Sequence, residues 1–354
     1  MEVRKISIIS DVQFAGKEAE KRYVLEQFSF VKDYDCDVQL VTDKLFNQLP
    51  EDCNYESAKH RIEFEGPTVF DYESAFLESL KGSEIVIAHY SAVNAKLMEA
   101  VPTLKMIGCL RSGIENIDLA EANKRNIIVC NSPGRVSEPV ADYTAAMILA
   151  FNRNISRHDM YHSKKFIRDV SNVPPLMRDL TVGIVGFGII GSKVAERLAG
   201  FGCQLLAYDP FINKEAAERL RVKAVSLDEL MSQSDCITVH SRFTEETRHL
   251  IGKEQFALMK PTAFIVNTAR SRLIDEEAMV EALENNKIRG AALDVYNSEP
   301  LPDDSPFFKM ENVLLSPHIA GTAGDWTSLT IAAMKNEVAN YLSGKALNNQ
   351  INAK

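Results

Sequence analysis

The chain has 354 residues, enough for two domains of ordinary size, each with its own core. Its 45% hydrophobic and 25% charged residues are those of a soluble globular protein, and a net charge of −9 argues against a broad nucleic-acid or anionic-membrane surface. MEVRKISIIS carries no secretory core, no apolar run is long enough to cross a bilayer, and the six cysteines are scattered without CxxC or histidine clustering, as expected of a cytoplasmic protein with buried free thiols and no metal site.

Strand-like and helix-like runs alternate along the whole chain, the pattern of parallel sheets built from βαβ units. In the first part the predicted strands are residues 6–10, 38–41, 84–89, 104–109 and 127–131. The polar stretch 47–72 reads as an irregular loop or rim insertion. A long helix is expected over 138–162, with Ala-rich packing positions and an apolar middle, followed by a proline-containing loop over 171–178. Later strands are expected at 182–185, 205–208, 236–240, 263–267, 290–294 and 313–316, and a last helix over 326–342 closes the chain.

Residues 181–209, TVGIVGFGIIGSKVAERLAGFGCQLLAYD, fit a grip on a dinucleotide in every part. An apolar strand leads into Gly186, Gly188 and Gly191, which serve a tight turn, close approach of a pyrophosphate and close helix–strand packing. The helix start at Ile189 and Ile190 offers unpaired N–H groups and a partial positive charge to phosphates. The second strand ends at Asp209, whose carboxylate suits ribose hydroxyls and repels a 2′-phosphate, so NAD is expected over NADP. Because this fingerprint starts halfway along, the first half forms a separate domain. The expected fold is α/β, with two doubly wound parallel-sheet domains and a cleft between them. Residues 1–138 with 325–354 form a flavodoxin-like substrate domain, and 139–324 a Rossmann domain for NAD.

Three chemistry-bearing segments follow predicted strands of the second half. NTARSRLIDEEAMVEAL places Arg270 at a strand's carboxyl end, ALDVYNSEPLP places Asp294 and Glu299 after the next, and LLSPHIAG places His318 after the last. Taken singly, Arg270 fits a surface pair with Asp275 or Glu276, Glu299 a solvated loop acid, and His318 a turn residue.

With LRSGIENIDLA (110–120), the glycine fingerprint and VHSRFTEETRHLI (239–251), these segments make the chain resemble the D-isomer-specific 2-hydroxyacid dehydrogenases over nearly its whole length. Phosphoglycerate dehydrogenase and hydroxypyruvate reductase types are the relevant members. The resemblance implies hydride transfer between NAD(H) and a small 2-hydroxy or 2-oxo acid. Arg270 would clamp the substrate carboxylate and C2 oxygen, and His318 would exchange the C2 proton. Glu299 would orient His318 and stabilise its imidazolium, so that lower pH favours reduction and higher pH oxidation. It further implies cofactor contacts from His240, Thr247, Thr268, Ala269 and Asp294. His240 also fits a satisfied strand-end histidine, and Asp294 a turn cap. A homodimer through the NAD-binding domains is implied by the 138–162 helix.

The chain departs from the family at two places. Ser271 and Arg272 follow the catalytic arginine where glycine is common. In the substrate loop, Gly113 fills the second of two usual glycine positions and Arg111 occupies the first. The backbone N–H groups of Ser112, Gly113 and Ile114 are expected to hold the substrate carboxylate. Arg111 then reads either a polar or anionic tail (a hydroxyl chain, a second carboxylate or a phosphate) or pairs structurally with Glu115 or Glu138. Arg135 is a weaker candidate for the same role. A corepressor that senses NAD(H) on this fold is the alternative of another class. Formate dehydrogenase is disfavoured by Glu299, and a short phosphoglycerate dehydrogenase without an appended regulatory domain stays open.

Overall fold

The first sheet is formed by β1 (Arg4–Ser10), β2 (Cys36–Thr42), β3 (Ser83–Ala88), β4 (Met106–Cys109) and β5 (Ile128–Cys130), its inner strands apolar and buried and its edge strand β2 largely half-buried. All its pairings are parallel, in the order β2-β1-β3-β4-β5. Alternation along the strands divides the core in two. Ile6, Ile8, Ile85 and Ile87 face one cluster, and Ile9, Val86, Ala88 and Ile107 the other. The first cluster is closed by Ile331, Met334 and Val338, three and four residues apart on the helix Trp326–Leu342.

The computed structural model describes residues 3–11, 14–43, 55–68, 71–155, 164, 166, 173–322, 324 and 326–352. One compact unit combines Met1–Arg135 with Gly324–Lys354, and the other is Val136–Ala323. In the first unit the carboxyl-terminal segment returns along the sheet edge: Ile351 N–H donates to Val129 O, Val129 N–H donates to Asn352 Oδ1, and Cys130 bridges Gln350.

The stretch 47–72 differs from its expectation as a loop. It holds the helix Tyr55–Glu65, anchored by Ala58 and Ile62, both fully buried. Two apolar contacts one turn apart are too few to stand out in a polar segment. Residues 47–54, 69 and 70 lie outside the described residues.

The second unit carries β6 (Thr181–Val185), β7 (Gln204–Tyr208), β8 (Val222–Ala224), β9 (Cys236–Val239), β10 (Phe264–Asn267), β11 (Gly290–Leu293) and β12 (Val313–Leu315). They are parallel in the order β12-β11-β10-β9-β6-β7-β8. β8 escaped sequence reading because it is a three-residue edge strand with one buried residue. The two orders are the flavodoxin-like and dinucleotide-binding windings. Strand order reverses between β1 and β3 in one sheet and between β6 and β9 in the other.

The helix expected over 138–162 is Ser137–Asn152. It stops because Asn154 adopts φ 53°, the left-handed conformation asparagine tolerates, and Ile155 N–H turns back to Ala150 O. His158, Asp159 and His162 lie outside the described residues. The helix packs on Ile189–Ala199 of the same unit, where Glu138 pairs with Lys193 and Arg197, and Arg197 also with Asp142.

Candidate active site

β6 delivers the chain to Gly186, whose φ of 93° is open to glycine and costly for other residues. A Cβ there would also lie 2.4 Å from the backbone nitrogen of Ser241. At Gly191 a Cβ would lie 2.1 Å from Gly186 O, so helix and strand meet backbone to backbone. Gly188 is the reverse case: a Cβ would meet nothing within 4 Å, which leaves open space at the helix start. Ser192 makes the first helical bond, onto Gly188 O, so the N–H groups of Ile189, Ile190 and Gly191 find no acceptor among the described residues. Free donors, the positive end of an 11-residue helix and open space fit a pyrophosphate. Asp209 ends β7 with Oδ2 accepting the Phe187 N–H and Oδ1 the Phe211 N–H, each at 2.8 Å. Each oxygen keeps a lone pair for a ribose hydroxyl.

Of the other residues expected at the cofactor, His240 lies against this turn, its backbone carbonyl carbon beside Gly186. His240 follows β9, its Nε2 2.9 Å from Thr238 Oγ1 and its Nδ1 without a partner among the described residues. Burial of the ring pushes its pKa down to about 3, so it is neutral. The Thr247 hydroxyl braces its own loop, donating to Arg242 O and accepting the Thr244 N–H. Thr268 is buried and shares a hydrogen bond with Thr144, while the Ala269 N–H donates to Asn267 Oδ1.

β10, β11 and β12 are neighbours, and their carboxyl ends carry Arg270, Glu299 and His318. Asn267 shapes the first turn by donating to Arg270 O. Asp275 caps the helix Glu276–Glu284, and Glu276 accepts the Asn297 N–H. Glu299 accepts the Tyr296 N–H with Oε1 and meets His318 Nδ1 with Oε2 at 2.7 Å. His318 adopts φ 49°, a strained backbone for a non-glycine residue. Asp294 overcomes that strain: fully buried, it accepts the Ser316 hydroxyl and the Ile319 and Ala320 N–H groups on either side of the histidine. Burial raises its pKa against those bonds. Asp294 is therefore the staple of the His318 turn, the turn-capping alternative seen in the sequence.

In the first unit, the loop expected to hold the substrate follows β4. Asn116 fixes it by donating to His89 O and Ser91 O, and Asn131 donates to Ser112 O. The N–H groups of Ser112, Gly113 and Ile114 donate to nothing among the described residues. Three successive free donors form a cradle of anion-binding type, with the Glu115 carboxylate lying against Gly113 beside it. Arg111, beside them, is 2% exposed and paired with Glu63 and Glu115. Burial disfavours its charge, but Tyr90, Glu63 and Glu115 outweigh that and raise its pKa. Of the two structural partners expected for Arg111, Glu115 is one; Glu138 pairs with Lys193 and Arg197 instead. Arg135 donates to Thr330 and approaches His89 Nε2 at 3.5 Å, and His89 Nδ1 lies 3.3 Å from Asp11. Sequence reasoning missed Asp11, Lys59, Glu63, His89 and Tyr90, whose meeting depends on long-range folding and leaves no local pattern.

Fold and glycine turn together define an α/β protein of two parallel-sheet units, one of them of the dinucleotide-binding kind. The description "D-isomer specific 2-hydroxyacid dehydrogenase, NAD binding domain" matches residues 145–320. A glyoxylate reductase of Korarchaeum cryptofilum is 35% identical over 286 residues, covering 79% of this chain and 86% of that one. A D-3-phosphoglycerate dehydrogenase of Archaeoglobus fulgidus is 36% identical over 300 residues, and the chain spans 56% of its length. The crystal structure of the TT0316 protein from Thermus thermophilus superposes with a TM-score of 0.75 at 25% identity, covering 98% of this chain and 100% of that one. This chain belongs to the D-isomer specific 2-hydroxyacid dehydrogenase family. Among the described residues no helix is long and apolar enough to cross a membrane, and no group of three or more His, Cys, Asp or Glu is placed to hold a metal ion.

Proposed function

We propose that this chain reduces a small 2-oxo acid to the D-2-hydroxy acid, and catalyses the reverse oxidation, with its second unit as the NAD-binding domain and its first as the substrate domain. The observation that carries this reading is the His318–Glu299 pair, at strand ends of the sheet that also carries the glycine turn and Asp209. The relatives' names, glyoxylate reductase and D-3-phosphoglycerate dehydrogenase, support a 2-oxo acid as substrate.

Ile189, Ile190 and Gly191 would hold the pyrophosphate, Asp209 the ribose, and Thr268, Ala269 and His240 the nicotinamide end. NADH, when bound, supplies the hydride for C2. The N–H groups of Ser112, Gly113 and Ile114 would fix the substrate carboxylate. Arg270 would clamp that carboxylate and the C2 oxygen, drawing negative charge toward its guanidinium as the carbonyl is reduced. His318 Nδ1 is engaged with Glu299, which leaves Nε2 to deliver the proton to the C2 oxygen. Glu299 orients the ring through its contact with Nδ1. We further assign the protein to the cytoplasm, as a homodimer formed through the NAD-binding domains.

The test is NADH oxidation with glyoxylate, hydroxypyruvate and longer 2-oxo acids. Turnover of at least one is expected. None across the panel would overturn the reading in favour of a dinucleotide-sensing regulator.

A further inference from the structure

The cluster around Arg111 narrows the kind of substrate tail that fits. The guanidinium stacks over the Tyr90 ring, its Cζ 4.0 Å from the centroid. Nη2 pairs with Glu63 and, at 3.4 Å, with Glu115. Glu63 comes from the helix Tyr55–Glu65, and one turn earlier the same helix brings buried Lys59, its Nζ 5.8 Å from the Tyr90 centroid. Arg135, His89 and Asp11 complete the group at the carboxyl ends of β1 and β3. Burial pushes the His89 pKa down to about 4, so its ring is neutral.

Among the described residues of the cluster the formal charges cancel. Lys59, Arg111 and Arg135 stand against Asp11, Glu63 and Glu115. A second carboxylate or a phosphate beside Arg111 would meet two glutamates with it and find no net cation. What the cluster does hold is an unused donor: Nη1 of Arg111 is buried and makes no hydrogen bond among the described residues. Such a buried donor is costly to leave unmatched, and a neutral oxygen satisfies it without adding charge. We propose that Arg111 and Glu63 select a 2-oxo acid whose tail carries hydroxyl groups and reject tails that carry a second anion. The inference rests on the reading above, with the substrate carboxylate on the Ser112–Ile114 cradle.

The experiment compares kcat/KM of the full-length protein with NADH for three acids of related skeleton: pyruvate, hydroxypyruvate and oxaloacetate. Hydroxypyruvate should exceed pyruvate at least about tenfold, because a site built around a hydroxyl penalises its absence, and should exceed oxaloacetate by more. E63Q, nearly isosteric, removes one carboxylate and should raise the oxaloacetate-to-hydroxypyruvate ratio at least about tenfold. R111M should lower the hydroxypyruvate-to-pyruvate ratio by a similar factor. Wild-type preference for pyruvate or oxaloacetate overturns the proposal, as do ratios unmoved in folded variants. If neither variant folds, the wild-type ranking decides alone. Failure to reduce any of the three, or glyoxylate, instead overturns the reaction itself, and the tail assignment falls with it.

Discussion

The Nδ1 of His318 lies 2.7 Å from Oε2 of Glu299, and the other oxygen of that carboxylate is held by the Tyr296 N–H. The acid is thus fixed before it meets the ring, and a change of charge alone should be felt in the chemical step. Glu299→Gln keeps the shape and removes the carboxylate charge that faces the His318 ring. Reductive kcat should fall about 10²- to 10⁴-fold, with a smaller change in KM and an altered pH profile. An unchanged kcat and pH profile would exclude the positioning role.

Gly186 and Gly188 share one turn but should respond differently to the same change. Gly186→Ala forces a Cβ against the Ser241 nitrogen at a φ of 93°, so the folded yield or urea midpoint should drop by the equivalent of about 3 kcal/mol or more. Gly188→Ala adds a methyl in open space, so stability should hold while KM for NADH rises at least about tenfold. Equal stability losses in the two variants would contradict this assignment of the turn.

Asp209→Asn removes the charge after β7 and keeps an acceptor oxygen for one of the two N–H groups, of Phe187 and Phe211, that the carboxylate holds. The kcat/KM preference for NADH over NADPH should narrow at least about tenfold, since a like-charge repulsion is worth a few kcal/mol near a protein surface. Preference measured with both cofactors checks it, and a ratio that stays put counts against ribose recognition by Asp209.

Buried His89 sets a direction for acid sensitivity. Burial is the main cause that pushes its pKa down to about 4, aided by Arg135 and Arg111 and opposed by Asp11. The unfolded chain takes up this proton near pH 6.5, whereas the folded chain resists it until about pH 4. The stability tied to His89 is therefore complete above about pH 6.5 and is lost as pH falls toward 4, by about 3 kcal/mol in all. His240, pushed to about 3, acts in the same direction. Urea midpoints measured from pH 7 to 4 should fall steeply, and His89→Gln should flatten the slope. A slope equal to wild type would place the acid sensitivity elsewhere.

What could be read before folding was what depends on neighbours in sequence. The glycine turn, the strand-end positions of Arg270 and His318 and the closing helix Trp326–Leu342 each follow from a short run with a clear period or spacing. Glu299 and His318 stood out as segments, but their contact depends on the pairing of β11 with β12. The environment of Arg111 was legible only as far as Glu115, four residues on. Glu63 lies 48 residues away on a helix whose apolar face is too thin to announce itself. Asp294 reads from sequence as a cofactor acid or a turn cap, and the bonds to Ile319 and Ala320, which show the capping, come from residues 25 and 26 positions away. The end of the helix Ser137–Asn152 turns on one left-handed asparagine, which an otherwise helical pattern does not reveal.

The return of residues 350–352 to β5 has a consequence for synthesis on the ribosome. Every strand of the second unit has left the exit tunnel while the edge of the first sheet still lacks its cover. The insert can thus mature first, while β5 leaves free backbone groups exposed until residues 350–352 have emerged and docked. A ribosome stalled before that point should carry a finished nucleotide cradle beside an unfinished sheet, and chaperone contacts should concentrate on the stretch around Val129.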